Sequence, residues 1–157
     1  MNDPPRIDIR RATHEDADAI RALTREAYAK WIPLTGREPS PMGADYDRAV
    51  RMHRFDLLYV EDDLAALIET VDETGQLLIE NIAVRPGWQG RGLGRRLMAL
   101  AEEIARELGY GRIRLFTNQL WQANVRLYQR LGYRIDSEVP IDHGMFRVNM
   151  SKDLAVR

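Results

Sequence analysis

The sequence predicts a domain of the α+β (mixed α/β) class, in which a mostly antiparallel, twisted sheet of about seven strands is flanked by about four helices. Short segments that alternate apolar and polar residues predict the strands. Longer segments with apolar residues at helical spacing predict the helices, which are interleaved with the strands. The length of 157 residues is typical of one domain, so we expect a single domain over residues 1–157.

The first elements are a strand and a long helix. Residues 7–12, IDIRRA, alternate apolar and polar and predict the first strand. Thr13 has the residue type of an N-cap, and Asp16 follows three residues later in a loose capping box. The apolar residues that follow at helical spacing predict a helix over residues 14–31 with one buried stripe.

The middle of the chain predicts a loop, a short helix and a meander of strands. Residues 33–43 contain three prolines and two glycines, which predicts a loop, and a short helix is expected over residues 44–54. Three strands separated by tight acidic turns then suggest antiparallel pairing. Their sequences are FDLLYVED, LAALIETVDETG and QLLIENIAVRP.

The second half alternates helices and strands. The segment RRLMALAEEIARELG has one apolar face and stops at Gly109, a favourable helix end. RIRLFTNQL then predicts a strand, and WQANVRLYQRLG predicts a helix that ends at Gly132. The last two predicted strands are YRIDSEV and GMFRVNMSKDL.

Composition excludes several classes of function. The formal net charge of -1 argues against bulk nucleic-acid binding, and the absence of cysteine removes disulfides and thiolate chemistry. Residues 1–10 have no apolar core of a signal peptide, and no apolar run approaches the roughly 20 residues of a membrane span. His14, His53 and His143 are scattered, so we expect no metal site. We therefore expect a soluble cytoplasmic protein with no nucleic-acid or membrane partner, and a homodimer is left open.

Residues 85–98, RPGWQGRGLGRRLM, place four of the chain's 11 glycines and four arginines at the start of a predicted helix. Unpaired N–H groups and the helix dipole favour an anion there, and glycine lets the backbone approach it, so the pattern predicts a phosphate site. A Walker A loop would need Lys and then Ser or Thr after Gly94, where this chain has arginines. A dinucleotide-binding G-x-G-x-x-G would place its third glycine at Arg95 or Leu97, which does not fit.

The segment from Gln89 to Gly94 fits the pattern Q/R-x-x-G-x-G/A and resembles the donor loop of the GCN5-related N-acetyltransferase (GNAT) superfamily. The preceding IAVRP resembles the strand and bulge before that loop, and LYQRLGYRI, residues 127–135, resembles the family's late helix-to-strand signature. The order of elements matches over nearly the whole chain, although the specific motifs lie between about Ile79 and Ile135. Many members carry Asn and Ala where this chain has Trp121 and Asn124, a departure that concerns cofactor detail.

The resemblance implies a GNAT-like fold in which a splayed strand pair forms the cleft for acetyl-CoA. It implies that backbone groups of Ile82, Ala83 and Val84 hold the pantetheine arm and the thioester carbonyl. It also implies that backbone N–H groups of residues 89–95, called the glycine loop below, hold the pyrophosphate of coenzyme A. The loop residues expected to bind it are Gln89, Gly90, Arg91, Gly92, Leu93, Gly94 and Arg95.

Four polar residues are candidates for the chemistry. Glu80 and Asn81 interrupt an apolar strand and point to opposite faces, and Glu80 is the candidate general base. Tyr128 matches the position of a tyrosine that is often near the thioester sulfur in the family, so it is the candidate acid for the leaving thiolate. Asn124 lies one helical turn earlier and is a candidate to bind pantetheine. The alternative for Tyr128 is an ordinary packed aromatic, and for Glu80 a salt bridge or solvent.

The acceptor site is expected where the first helix, the following loop and the second helix meet, as in the family. The candidate residues are Tyr28, Trp31, Arg37, Asp45, Tyr46 and Asn81. Aromatic and acidic groups suit an amine cation, whereas an arginine suits a carboxylate. The sequence therefore predicts an N-acetyltransferase with acetyl-CoA as donor and a small primary amine as acceptor. A protein N-terminus or lysine is the alternative acceptor, and an acyl-CoA-binding regulatory domain without turnover is the alternative class. A nicotinamide-dependent oxidoreductase is disfavoured by the glycine spacing.

Overall fold

The computed structural model describes residues 3–155 and contains seven strands in one sheet. The strands are β1 (Ile7–Arg11), β2 (Arg54–Val60), β3 (Asp63–Asp72), β4 (Leu77–Val84), β5 (Arg112–Asn118), β6 (Arg134–Pro140) and β7 (Phe146–Asp153). The helices are α1 (Ala17–Tyr28), α2 (Ile32–Thr35), α3 (Tyr46–Met52), α4 (Leu93–Glu107) and α5 (Gln122–Arg130). The order of the strands in the sheet is β1-β2-β3-β4-β5-β7-β6.

The predicted α+β class is confirmed. The pairs β1–β2, β2–β3, β5–β7 and β6–β7 are antiparallel, whereas β4 and β5 are parallel. Pairing between β4 and β5 is confined to Leu77–Ile79 and Ile113–Leu115, and both strands continue beyond it. Within residues 3–155, no helix combines the length and the apolar character needed to cross a membrane.

The predicted loop over residues 33–43 is partly wrong, because it contains two short helical segments. Pro33 lies in the first turn of α2, where its missing N–H costs no hydrogen bond. Gly36 then ends α2 in the left-handed conformation, with φ of 73°. A second single turn, Ser40–Gly43, precedes α3. Proline and glycine thus set the limits of short helices here.

The described residues divide into two compact units. The first comprises the residues up to Thr70 together with Asn81–Leu100, and the second comprises Val71–Glu80 and the chain from Ala101 onwards. The single domain expected over residues 1–157 stays a prediction, and residues 1, 2, 156 and 157 lie outside the described residues.

The core of the first unit packs one face of the strands against α1 and α3. The predicted stripe of α1 is buried there, and the rings of Tyr46 and Phe55 meet edge to face with centroids 6.1 Å apart. The buried cluster consists of Ile20, Leu23, Ala27, Tyr46, Phe55, Leu57, Leu67 and Ala83. At the start of this helical region, the Thr13 N–H donates to the Asp16 carboxylate at 2.8 Å, which confirms the predicted capping box.

The second unit has its own buried residues. They include Ile104 and Ala105 of α4, Ile113 and Leu115 of β5, Val125 and Tyr128 of α5, and Val148 and Met150 of β7. The helix α5 ends close to its predicted stop, where Gly132 has φ of 97°. By contrast, every residue of β6 is exposed.

Candidate functional site

Two residues of the glycine loop have a backbone conformation that favours glycine. Gly90 and Gly92 both have φ of 79°, in the left-handed region that other residues rarely adopt. A Cβ atom added at either glycine would meet no other group within 4 Å, so the loop opens to free space. The helix α4 begins directly after them at Leu93, so its first N–H groups lie next to this opening. The loop therefore fits an anionic group such as a pyrophosphate.

The cations around the loop have different partners. The Arg91 guanidinium lies 4.9 Å from the centroid of the Trp88 ring, in cation–π geometry. Arg95 is exposed at the start of α4. Lys30, which follows α1 and which the sequence did not single out, donates from Nζ to Oε1 of Gln89 at 3.2 Å. Positive charge thus reaches the loop from a distant part of the chain as well as from the loop itself.

Gln89 connects the loop to the end of β4. Its Nε2 donates to the carbonyl of Val84 at 3.0 Å, while its Oε1 accepts the bond from Lys30. Both polar ends of this side chain are therefore used inside the first unit. The sequence motif indicated Gln89 through its position but not through these bonds.

The free edge of β4 can be deduced from its hydrogen bonds. The N–H of Arg85 donates to the carbonyl of Ala65 in β3 at 2.9 Å. Because backbone groups alternate between the two edges of a strand, Ala83 also directs its groups toward β3, and Ile82 and Val84 direct theirs to the opposite edge. The side-chain bond of Gln89 to the Val84 carbonyl agrees with this alternation.

Asn81 lies in a buried network of polar side chains. Its Oδ1 accepts from the Tyr28 hydroxyl at 2.8 Å, and a longer branch of the same donor reaches the Ile82 carbonyl at 3.3 Å. Its Nδ2 donates to the hydroxyls of Tyr46 at 3.4 Å and Thr24 at 3.5 Å. Asn81 is only 3% exposed and Tyr46 only 1%. The network thus joins α1 and α3 to β4 and satisfies polar groups that burial would otherwise destabilise.

The other acceptor candidates lie nearer to solvent. Trp31 is half-buried, with the Lys30 ammonium 5.0 Å from its ring centroid, and Arg37 is exposed. Asp45 is the N-cap of α3 and accepts from the N–H of Arg48 at 3.2 Å. The structure therefore brings Tyr28, Tyr46 and Asn81 into one network, whereas Arg37 lies at the surface and Asp45 caps α3.

The second unit contains the remaining candidates, which are Glu80 and Tyr128 for the chemistry and Asn124 for pantetheine binding. Glu80 acts electrostatically on Arg114, whose guanidinium donates to the Glu73 carboxylate at 2.6 and 2.8 Å. The pKa of Arg114 is raised chiefly by its hydrogen bonds to Glu73, and the negative charge of Glu80 adds a smaller contribution. Glu80 is half-buried, on the face of β4 opposite Asn81, as the alternation predicted. Asn124 is half-buried on α5.

Tyr128 is a buried residue of α5, only 7% exposed. Burial raises the pKa of its hydroxyl to about 12. Its ring meets that of Tyr133 edge to face, with centroids 6.2 Å apart. The hydroxyl is therefore protonated at neutral pH, while the ring also serves in packing.

No group of three or more His, Cys, Asp or Glu residues suited to a metal ion occurs in the part of the chain that the structure describes.

The comparisons with known proteins agree on one family. The model of the acetyltransferase (GNAT) family matches residues 17–133. N-alpha-acetyltransferase 80 of Mus musculus is 36% identical over 75 residues, which are 48% of this chain and 23% of that protein. Streptothricin acetyltransferase of Streptomyces lavendulae is 40% identical over 58 residues, which are 37% of this chain and 31% of that protein. The chain therefore spans less than a third of either of these curated relatives.

A solved structure shows the likeness of fold. The PaiA N-acetyltransferase of Thermoplasma acidophilum, in complex with coenzyme A, matches with a TM-score of 0.78 and 17% sequence identity. The match covers 94% of this chain and 99% of that chain.

Proposed function

The chain belongs to the acetyltransferase (GNAT) family, and on that premise we propose that it transfers the acetyl group of acetyl-CoA to a primary amine of a small molecule by direct attack. The observation that carries this function is the family match over residues 17–133, which includes the glycine loop in left-handed conformation before α4. The relative from Thermoplasma acidophilum, whose structure contains coenzyme A, has the same fold.

The pyrophosphate of acetyl-CoA binds at the glycine loop in this proposal. The first N–H groups of α4 and the N–H groups from Gln89 to Arg95 donate to its oxygens, and the helix dipole adds a favourable field. Glycine at positions 90 and 92 keeps Cβ atoms out of the space that the phosphates need. Arg91, Arg95 and Lys30 add positive charge nearby.

The pantetheine arm and the thioester bind along β4. Ile82 and Val84 direct their backbone groups to the edge away from β3, and their carbonyls already accept bonds from Tyr28 and Gln89. Their N–H groups are therefore the donors that we assign to the thioester carbonyl and the pantetheine amides. Ala83 contributes through its position in the strand.

The chemistry needs a neutral amine, an aligned thioester and an acid or hydrogen-bond donor for the leaving sulfur. We assign Glu80 as the base, acting directly or through water, and Tyr128 as the donor to the thiolate. A thiol has an ordinary pKa of about 8.5, well below the value of about 12 for Tyr128. Complete proton transfer from Tyr128 is therefore uphill, and a stabilising hydrogen bond to the sulfur is its main contribution. Most of the rate then comes from positioning.

The acceptor is recognised by the half-buried Trp31 and by the exposed Arg37 and Asp45. Trp31, Arg37 and Asp45 provide an aromatic face, a cation and a carboxylate, whereas Asn81 and Tyr46 are buried and hold the wall in place. Streptothricin acetyltransferase among the relatives favours a small molecule. N-alpha-acetyltransferase 80 favours the second candidate, a protein N-terminus.

A thiol-release assay with acetyl-CoA tests the function directly. A panel of small amines is compared with a panel of short peptides that have free N-terminal or lysine amines. Faster turnover with a small amine supports the proposal, and a preference for peptides replaces it with the second candidate. Binding of acetyl-CoA without thiol release from either panel would instead indicate a regulatory acyl-CoA-binding domain.

A further inference from the structure

The two lysines of the chain have contrasting surroundings. Lys30 and Lys152 are the only lysines among its 23 basic residues. In the second unit, Lys152 Nζ forms an ion pair with Glu102 Oε1 at 2.9 Å. Lys30, by contrast, has no carboxylate within 4 Å of Nζ when residues 3–155 are considered. Its amine is therefore not held by an opposite charge.

Lys30 is also placed beside the proposed donor site. Its Nζ donates to Oε1 of Gln89 at 3.2 Å, and Nε2 of the same glutamine donates to the Val84 carbonyl at 3.0 Å. The amine is thus two hydrogen bonds away from the segment of β4 along which we propose that the thioester arm lies. Trp31 limits its orientation, with its ring centroid 5.0 Å from Nζ.

The surroundings of Lys30 also favour its reactive form. Aminolysis of a thioester requires the neutral amine, because the ammonium ion has no lone pair. Partial burial of the amine lowers the pKa of Lys30, although the residue as a whole is exposed. At a given pH, a larger fraction of Lys30 is therefore neutral than for an ordinary solvated lysine.

We propose that Lys30 is a self-acetylation site, which accepts an acetyl group from acetyl-CoA bound to the same molecule. This modification depends on the donor binding proposed above. The Nζ lone pair forms a C–N bond with the thioester carbonyl carbon, and the C–S bond breaks. Coenzyme A leaves as the thiolate, the amine releases one proton to solvent, and the thiolate takes up one proton. The product is a neutral amide, so the loop loses the positive charge that Lys30 brings to it.

Intact-mass and peptide-mapping mass spectrometry of the whole chain, incubated with acetyl-CoA without an added amine, test the site. We expect one acetyl group at Lys30 and none at Lys152. The modification should be absent in Lys30→Arg and retained in the matched control Lys152→Arg. Its rate constant per chain should not change when the protein is diluted, because the transfer is intramolecular. At limiting acetyl-CoA it should fall about tenfold or more in Gly92→Asp, which weakens donor binding.

Four results would overturn self-acetylation at Lys30: no acetyl group there, equal labelling of Lys152, an undiminished rate in Gly92→Asp, or a rate proportional to protein concentration. Thiol release with the amine panel and a thermal shift with acetyl-CoA are measured on the same preparation. If these succeed and Lys30 stays unmodified, only the self-acetylation is wrong. If acetyl-CoA neither binds nor reacts, the proposed function is wrong as well.

Loss of the Lys30 charge should weaken the donor site. Lys30→Gln imitates the acetylated side chain, and Lys30→Arg retains the positive charge. We expect Lys30→Gln to raise the Kd for coenzyme A about fivefold relative to Lys30→Arg, as expected for one charge a few ångströms from a phosphate in a solvated site. Equal Kd values would show that acetylation of Lys30 does not act on the donor loop.

Discussion

A pair of substitutions at Gly92 tests the pyrophosphate site with one charge as the variable. Gly92 has φ of 79°, and a Cβ added there would meet no group within 4 Å. Asn and Asp have nearly the same shape, and both enter the left-handed region more readily than other non-glycine residues. Gly92→Asn and Gly92→Asp should therefore carry similar backbone strain, roughly 1–2 kcal/mol, without a steric clash inside the protein. What distinguishes them is the negative charge of aspartate.

The size of that difference follows from Coulomb's law. Two unit charges 4 Å apart interact by about 1 kcal/mol in bulk water and by about 4 kcal/mol at the effective dielectric constant of a protein surface. For one phosphate charge near residue 92, Gly92→Asp should therefore bind acetyl-CoA roughly 5-fold to 1,000-fold more weakly than Gly92→Asn. Salt at 1 M shortens the Debye length to about 3 Å, so the gap between the two variants should narrow.

Isothermal titration calorimetry with acetyl-CoA, at low and high salt, measures both dissociation constants. Gly87→Asp is the matched control for the added charge, because Gly87 precedes the loop, lies outside the left-handed region and has open space at its Cβ. It should change the Kd by less than the gap between the two Gly92 variants. Equal affinities for Gly92→Asn and Gly92→Asp would refute a phosphate at this loop, whatever the effect of each variant relative to the wild type.

Other substitutions test the role of Tyr128, the acceptor candidates Trp31 and Asp45, and the hydrogen-bond network around Asn81. Tyr128→Phe should lower kcat by roughly 10- to 150-fold, which corresponds to the loss of one hydrogen bond of about 1.5–3 kcal/mol to a charged group. Acetyl-CoA affinity should be retained, and thiol release at saturating donor measures the change. Trp31→Ala should raise the KM of the acceptor more than that of acetyl-CoA. Asp45→Asn should do the same, since Asn still caps α3 while the charge is lost. Asn81→Ala should lower the free energy of unfolding by about 1–3 kcal/mol and the Tm by roughly 2–12 °C in thermal denaturation, because it removes the partners of buried hydroxyls. Asn149→Ala is the control, since its side chain bonds an exposed Ser137 hydroxyl.

Each of these predictions has a result that would contradict it. Wild-type kcat in Tyr128→Phe would return Tyr128 to a role in packing alone. Changes confined to acetyl-CoA affinity in the Trp31 and Asp45 variants would place the acceptor elsewhere. A Tm for Asn81→Ala no lower than that of Asn149→Ala would mean that the buried network contributes little to stability.

The sequence predicted the local features of the donor loop because they depend on neighbouring residues. The glycines before a helix indicated a loop that an anion can approach, and the end of α4 close to Gly109 follows from apolar periodicity and the glycine stop. The left-handed conformation of Gly90 and Gly92 was found only in the structure. Alternation also predicted that Glu80 and Asn81 occupy opposite faces of β4. It could not say which face α1 and α3 would cover.

The contacts that the sequence did not predict join residues far apart in the chain. Lys30 and Gln89 are 59 positions apart, and Tyr28 and Asn81 are 53 positions apart. No local sequence pattern predicts either contact, because each depends on how α1 packs on the strands. Asp45 was singled out as an acidic group for an amine and fell inside the helix expected over residues 44–54. Its role as N-cap needed the exact start of α3, which is Tyr46.

Because of the network around Asn81, a substitution within it should not change the binding of the acceptor and of acetyl-CoA independently. The Tyr46 hydroxyl donates to the Pro41 carbonyl at 2.6 Å and accepts from Asn81, while Tyr28 bonds both Asn81 and the Ile82 carbonyl. A change at Tyr28 or Asn81 therefore reaches the proposed acceptor loop and the proposed thioester strand together. Such variants should alter the KM of both substrates. Discrimination between acceptors is therefore best tested at exposed side chains such as Arg37 and Asp45, which can be changed without removing a hydrogen bond of the network.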